Sequence, residues 1–158
     1  MIGHEGMHAF AFQTGRWRVR HRKLRQRLAG STDWIAFDGT CSAWELLGGG
    51  ANVEDQMLND PAGPYRAAAF RRLDPATGLW SIWWFDTRVS AIDPPVVGRF
   101  VDGLGTFLAD DTLDGSPIKV RFLWSDVSTE SPRWEQAFSA DGGARWETNW
   151  TMQFERLS

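Results

Sequence analysis

The sequence predicts an all-β protein: a single antiparallel up-and-down β-barrel of about ten strands behind a short N-terminal helix or strap. Three observations predict it. From Gly15 onward apolar residues recur with a period of two, as in Arg16-Trp17-Arg18-Val19-Arg20-His21-Arg22-Lys23-Leu24. There Trp17, Val19 and His21 share one face and arginines the other. Turn signals punctuate the chain every 8–12 residues or so, the spacing of barrels and sandwiches. No segment after residue 30 has a helical period. A length of 158 residues fits one domain, read as an N-terminal helix or strap over 1–14 and a barrel over 15–158.

Each element follows from its residues. Met7, Phe10 and Phe12, with Ala9 and Ala11, make the apolar strap. The first strand closes at Ala29-Gly30-Ser31, and a second runs from about Trp34 to Glu45 and stops at Gly48-Gly49-Gly50. Asn59-Asp60-Pro61-Ala62-Gly63-Pro64 separates a third strand from a fourth. Asp74-Pro75-Ala76-Thr77-Gly78 ends the fourth, with Pro fixing φ and Gly supplying a positive one. The fifth carries Trp80, Ile82, Trp84 and Asp86 on one face, and Arg66 and Phe70 are expected to project similarly from the fourth. Asp93-Pro94-Pro95 precedes Gly98-Arg99-Phe100, and Asp102-Gly103 and Asp114-Gly115 are hairpin dipeptides. Ile118, Val120, Phe122 and Trp124 share a face of the next strand. Ser131-Pro132 leads into Trp134, Gln136 and Phe138, and Asp141-Gly142-Gly143 leads into the last strand. On that strand Trp150, Met152, Phe154 and Arg156 face one way, and Asn149, Thr151, Gln153 and Glu155 the other. One-sided burial of such a meander calls for closure, which removes exposed edges. A barrel of eight or more strands can hold a ligand inside.

Composition narrows the function classes. Ten tryptophans imply an aromatic core or an aromatic-lined cavity. A net charge of −3 gives no global attraction to nucleic acid or anionic membrane. Lys23 and Lys119 are the only lysines among seventeen basic residues. The single Cys41 excludes an intramolecular disulfide and fits a reducing cytoplasm. Neither a signal peptide pattern nor an apolar run of membrane-spanning length is present, so a cytoplasmic location is expected.

Gly15-Arg16-Trp17 resembles the Gly-x-Trp signature of the calycins, the superfamily of lipocalins and fatty-acid-binding proteins. The pattern Trp34-x-x-Phe37-x-Gly39, Asp74-Pro75-x-Thr77-Gly78-x-Trp80-x-x-x-Trp84 and Ser139-x-Asp141-Gly142-Gly143-x-x-Trp146 is similar to bacterial lipocalin-like proteins, over roughly residues 15 to 156. The resemblance implies a lipocalin-like barrel with Trp17 across its closed base and Arg156 stacked over it. It supplies no catalytic residues. Ser139, Asp141, Gly143 and Trp146 also resemble the Asp box of sialidase propellers, with Arg145 in place of Thr. A propeller needs repeated blades; one copy implies a structural hairpin held by Asp141 and Trp146. Haem-binding barrels of the nitrobindin type place an axial histidine late in the chain. All histidines here (His4, His8, His21) lie in the first 21 residues, so no haem, and no other cofactor, is expected.

Several residues could carry chemistry. His21, inward with Trp17, could act as an acid or base, or be a hydrogen-bonded core histidine. His4 and His8, with Glu5, have a helical metal-pair spacing but no third ligand downstream, so no metal site is expected. Glu54, Asp55, Asp110 and Asp111 read as solvated acids rather than a glycosidase pair. The stripe Arg16, Arg18, Arg20, Arg22, continued by Arg25 and Arg27, reads as an outer barrel face rather than a nucleic-acid surface. The leading expectation is a barrel that binds a small apolar or aromatic molecule. Its wall is expected from His21, Arg66, Trp84, Asp86, Phe122, Trp124, Trp134, Gln136 and Trp150. One alternative is an isomerase, cyclase or hydrolase using His21 and Asp86. Another is a homodimer or interaction module using outward Trp83 and Phe85.

Overall fold

A computed structural model describes residues 6–158. A 3-10 turn over Ala11–Gln13 leads into ten strands: β1 (Gly15–Leu24), β2 (Trp34–Leu46), β3 (Ala51–Leu58), β4 (Tyr65–Asp74), β5 (Leu79–Asp86), β6 (Val96–Val101), β7 (Leu104–Leu113), β8 (Ser116–Ser125), β9 (Arg133–Ser139) and β10 (Glu147–Arg156). Each strand pairs antiparallel with its chain neighbours, and β1 pairs with β10 to close the barrel. The closing register sets Trp17 opposite Arg156 and His21 opposite Met152. The hairpin turns Asp102-Gly103 and Asp114-Gly115 have positive φ at both positions. That geometry matches strand twist, which is why Asp-Gly occurs there. Among the described residues, no helix is long and apolar enough to cross a membrane.

The period of two puts alternate residues inside, and the barrel has a closed base and an open mouth. At the base Phe10 is 1% exposed and meets Trp80, Phe100, Phe107 and Trp124 at ring-centroid distances of 5.1–6.2 Å. The segment before β1 is thus a plug inserted into the barrel end. Trp17 lies fully buried beside it and donates from Nε1 to the Gln13 carbonyl at 2.8 Å. The Arg156 guanidinium rests 4.1 Å from the Trp17 ring and donates to the carbonyls of Thr14 and Phe12. Gly15 has φ +127, and a Cβ there would lie 2.6 Å from the Ser158 carbonyl oxygen. Only glycine fits, which gives Gly15-x-Trp17 a physical basis.

Above the plug lies a polar layer that includes Glu54, an acid that the sequence predicts to be solvated. Glu54 faces inward, 2% exposed, and forms an ion pair with Arg71. Arg71 also donates to Asn52 Oδ1, and Gln56 donates to Glu54. The Arg71 guanidinium lies 4.8 Å from the Phe10 ring and 5.3 Å from the Trp124 ring. The β3–β4 register pairs Val53 with Phe70 and Met57 with Arg66, all outward, so the inward positions of β4 are Tyr65, Ala67, Ala69, Arg71 and Leu73. A second departure is at Asn149. A β-bulge between Thr148 and Trp150 turns it inward, and Asn149 Oδ1 accepts from Gln136 Nε2 at 2.9 Å.

Candidate functional site

The mouth opens into a cavity of about 310 Å³. Trp84, Trp134, Trp150 and Phe122 wall it, and Gln136 and Phe138 line it from β9. The indoles brace one another edge to face: Trp84 and Trp134 each cross Trp150, at centroid distances of 5.3 and 5.2 Å. Phe122 crosses Trp134 in the same way at 5.0 Å. These pairings fix the wall rotamers, because the positive edge of one ring meets the negative face of the next. A gap of about 10 Å³ lies beneath, between this wall, Arg71 and Trp124.

The rim is charged. Asp86 accepts from Arg88 Nε and Nη2 at 3.1 and 2.9 Å, and from Trp84 Nε1 at 3.3 Å. Burial pushes the Asp86 carboxyl up, but the hydrogen bonds from Arg88 and Trp84 outweigh it and hold the pKa below the usual value. Asp86 is therefore an ionised partner of Arg88. Arg27 reaches the cavity from the β1–β2 connection, 5.4 Å from the Phe138 ring, with no ion-pair partner among the described residues. Asp93, Asp110 and Asp111 complete the rim.

His21 stands behind the wall. It is 1% exposed, stacks on Phe37 at 4.8 Å, and accepts at Nδ1 from Trp150 Nε1–H at 3.1 Å. An indole N–H only donates, so Nδ1 carries no proton and the ring is the Nε2–H tautomer. Nε2 has no hydrogen-bond partner. Gly39 makes room for the ring, since a Cβ there would lie 3.3 Å from Nε2. Burial first, then the nearby Lys23 charge, lowers the His21 pKa from 6.5 to about 3. His21 is neutral near pH 7, outside the cavity lining, and hydrogen-bonded to no carboxylate among the described residues.

Beside it, Lys23 is also buried. Nζ donates to Tyr65 Oη at 2.5 Å, lies 3.6 Å from Asp60 Oδ2, and sits 4.1 Å from the Trp150 ring centroid. Sequence reasoning missed Lys23, although the alternation that turned His21 inward also turns Lys23 inward.

Of the expected wall residues, the fold brings Trp84, Asp86, Phe122, Trp134, Gln136 and Trp150 together around the cavity. Three are placed elsewhere. Arg66 is on the outer face, its Nη2 3.1 Å from Asp55 Oδ2, because β4 turns its odd-numbered residues inward. Trp124 is 2% exposed in the base layer, stacked on Phe154 at 5.4 Å. His21 is the third. In the β9–β10 turn, Asp141 Oδ1 accepts from Ser139 Oγ and the Arg145 amide, and Arg121 lies 4.5 Å from the Trp146 ring. Of the histidines with metal-pair spacing, for which no metal site was expected, His4 lies outside the described residues, as does Glu5; His8 Nδ1 is 3.0 Å from Glu45 Oε2.

No family model matches the chain, and no curated protein matches it. Among solved structures, it is similar to the crystal structure of Rv2717c from M. tuberculosis, with a TM-score of 0.63 and 10% sequence identity. The match covers 97% of this chain and 98% of that chain. At that identity the likeness concerns the fold alone.

Proposed function

We propose that this barrel binds a small apolar or aromatic molecule in the cavity at its mouth, as a calycin-like carrier or sensor. The observation that carries the reading is the wall of Trp84, Trp134, Trp150 and Phe122 around about 310 Å³. That volume is at the lower end of ligand pockets, which pair an apolar wall with a few polar groups that orient the ligand. Gln136 and Arg27, which has no ion-pair partner among the described residues, are those groups, suited to a ligand hydroxyl or carboxylate. The reading needs no cofactor, nucleic acid or membrane. A cytoplasmic location is part of the proposal, and the single buried thiol of Cys41 is compatible with it.

The test is titration with the aromatic probe 1-anilinonaphthalene-8-sulfonate, read by tryptophan quenching, with native mass spectrometry of freshly purified protein. One probe per chain is expected. Trp84→Leu should weaken it by roughly two- to twelvefold, the worth of one aromatic contact. Saturable binding that ignores Trp84→Leu and Trp134→Phe would place the probe outside the cavity and remove the support.

A row on the outer surface favours a second, compatible reading. Trp44, Val53, Phe70 and Trp83 stand directly opposite one another across β2, β3, β4 and β5, and Phe85 follows on β5. Trp44 is 46% exposed. We infer that two copies pack these rows together about a two-fold axis. Sedimentation equilibrium should show a dimer that Trp83→Ser dissociates; a monomer at high concentration would sink this reading and leave the cavity untouched.

A further inference from the structure

Lysine is rare in this chain, and one of its two lysines is inside the barrel. Lys119 lies on the outer face and pairs with Asp110, as an ordinary surface cation does. Lys23 is 7% exposed, with Tyr65 Oη at 2.5 Å and the Trp150, Tyr65 and Phe37 ring centroids at 4.1, 5.0 and 5.7 Å. Trp150 is also a cavity wall residue, and Arg88, at the cavity rim, lies 3.9 Å from the Tyr65 ring. The amine is therefore one ring away from the cavity. Arginine at this position would stay charged at any relevant pH. A buried lysine titrates instead, which is how Schiff-base lysines are activated.

We propose that Lys23 captures an apolar or aromatic aldehyde from the cavity as a Schiff base. The inference rests on the cavity being the ligand site. Neutral Nζ attacks the carbonyl carbon; a C–N bond forms and the carbonyl π pair moves to oxygen. The proton leaving nitrogen passes to the Asp60 carboxylate, 3.6 Å away, and the Tyr65 hydroxyl protonates the alkoxide. The protonated Asp60 then gives its proton to the carbinolamine oxygen as the C–O bond breaks and water departs; the nitrogen lone pair forms C=N, and the remaining N–H proton returns to the Tyr65 phenolate. One amine and one aldehyde give one imine and one water, with no oxidant or reductant.

The charged groups around the amine support a supply of its neutral form. Burial is the main cause that lowers the Lys23 pKa from 10.5 to about 8, with Arg88 and Arg27 acting in the same sense and Asp60 against them. Near pH 7 the neutral amine is then present in roughly one molecule in ten, against fewer than one in a thousand for an exposed lysine. Burial also raises the Tyr65 pKa to about 12, so its phenol keeps the proton it must donate.

The experiment uses the full chain, 2-naphthaldehyde with cyanoborohydride as the trap, and 2-naphthylmethanol as a probe that binds without reacting. Peptide mapping should find the reduced adduct on Lys23 at least about tenfold faster than on Lys119. The labelling rate should rise through pH 8 and be competed by the alcohol. Lys23→Arg should abolish this fast phase, and Tyr65→Phe should slow it with alcohol binding retained. If the alcohol binds but Lys23 labels no faster than Lys119, the Schiff-base assignment is overturned and the cavity reading stands. If neither probe binds and Lys23 stays unmodified, both fall.

Discussion

His21 provides a quantitative test of the interior chemistry. Its folded pKa is about 3 against 6.5 for a free histidine. Protonation would put a second donor at Nδ1, facing the Trp150 N–H, inside an apolar stack on Phe37. The unfolded chain therefore binds more protons than the folded one between pH 6.5 and about 3. Stability from this group is complete above pH 6.5 and is lost progressively as pH falls through that window. At pH 4.5, two units below the free value, the loss is about 3 kcal/mol. For a chain of this size that corresponds to roughly 6–12 °C in Tm.

The perturbation is His21→Gln, whose side-chain oxygen can still accept the Trp150 N–H but does not titrate. Urea unfolding of both proteins at pH 7 and pH 4.5 isolates the histidine, because every carboxylate contributes equally to the two. The wild type should lose about 3 kcal/mol more than the variant across this interval. Equal losses would refute the reasoning. So would an imidazole NMR titration of His21 with a midpoint near 6, which would also restore His21 as a candidate base.

Three further outcomes follow from the base and the polar layer. Arg71→Met, which strands the buried Glu54 carboxylate, should cost roughly 3–5 kcal/mol by urea melts, with the double variant Arg71→Met/Glu54→Leu regaining most of it; a single-variant cost below about 1 kcal/mol would contradict the buried pair. Phe10→Ala should cost roughly 3–5 kcal/mol and shift the tryptophan emission, since Phe10 touches Trp80 and Trp124; an unchanged Tm would mean the plug is not seated. Gly15→Ala should lower stability by roughly 1–3 kcal/mol through backbone strain at φ +127, by thermal melts; a neutral result would detach Gly15 from the base geometry.

Periodicity and turn chemistry made the fold legible. A strict period of two in β1 identifies the inner face, and Asp-Gly pairs with positive φ fix two hairpins. The cavity was legible where a strand's own apolar alternation showed which side is inside, as in β5, β8 and β9. β4 lacks that signal. Its inward residues include Ala67, Ala69 and Arg71, while Phe70 is outward against Trp83 at 5.8 Å. Hydrophobicity therefore pointed the wrong way, and Arg66 was assigned to the wrong face. The Asn149 bulge was equally hidden, because one extra residue changes the parity without changing composition. Glu54 looked like a solvent residue because only the folded sheet shows that Arg71 is buried against it.

The division among the tryptophans bears on why a cavity exists at all. A chain that needed only stability would continue the base packing to the mouth, since filled volume adds stability and empty volume removes it. This chain instead plugs one end with Phe10, Trp17, Trp80 and Trp124, and sets the Arg71–Glu54 pair above them. The pair resists downward collapse of the upper wall, because apolar side chains settling onto it would strip charged groups of their hydrogen bonds. The upper indoles are held open by one another, edge to face, with Trp150 tied to His21 by its N–H. An aromatic wall fixed in this way is pre-organised and would lose little freedom on binding the proposed ligand. The same tie keeps the face of Trp150 over the Lys23 amine, so the residue that shapes the cavity also sets the environment of a buried lysine.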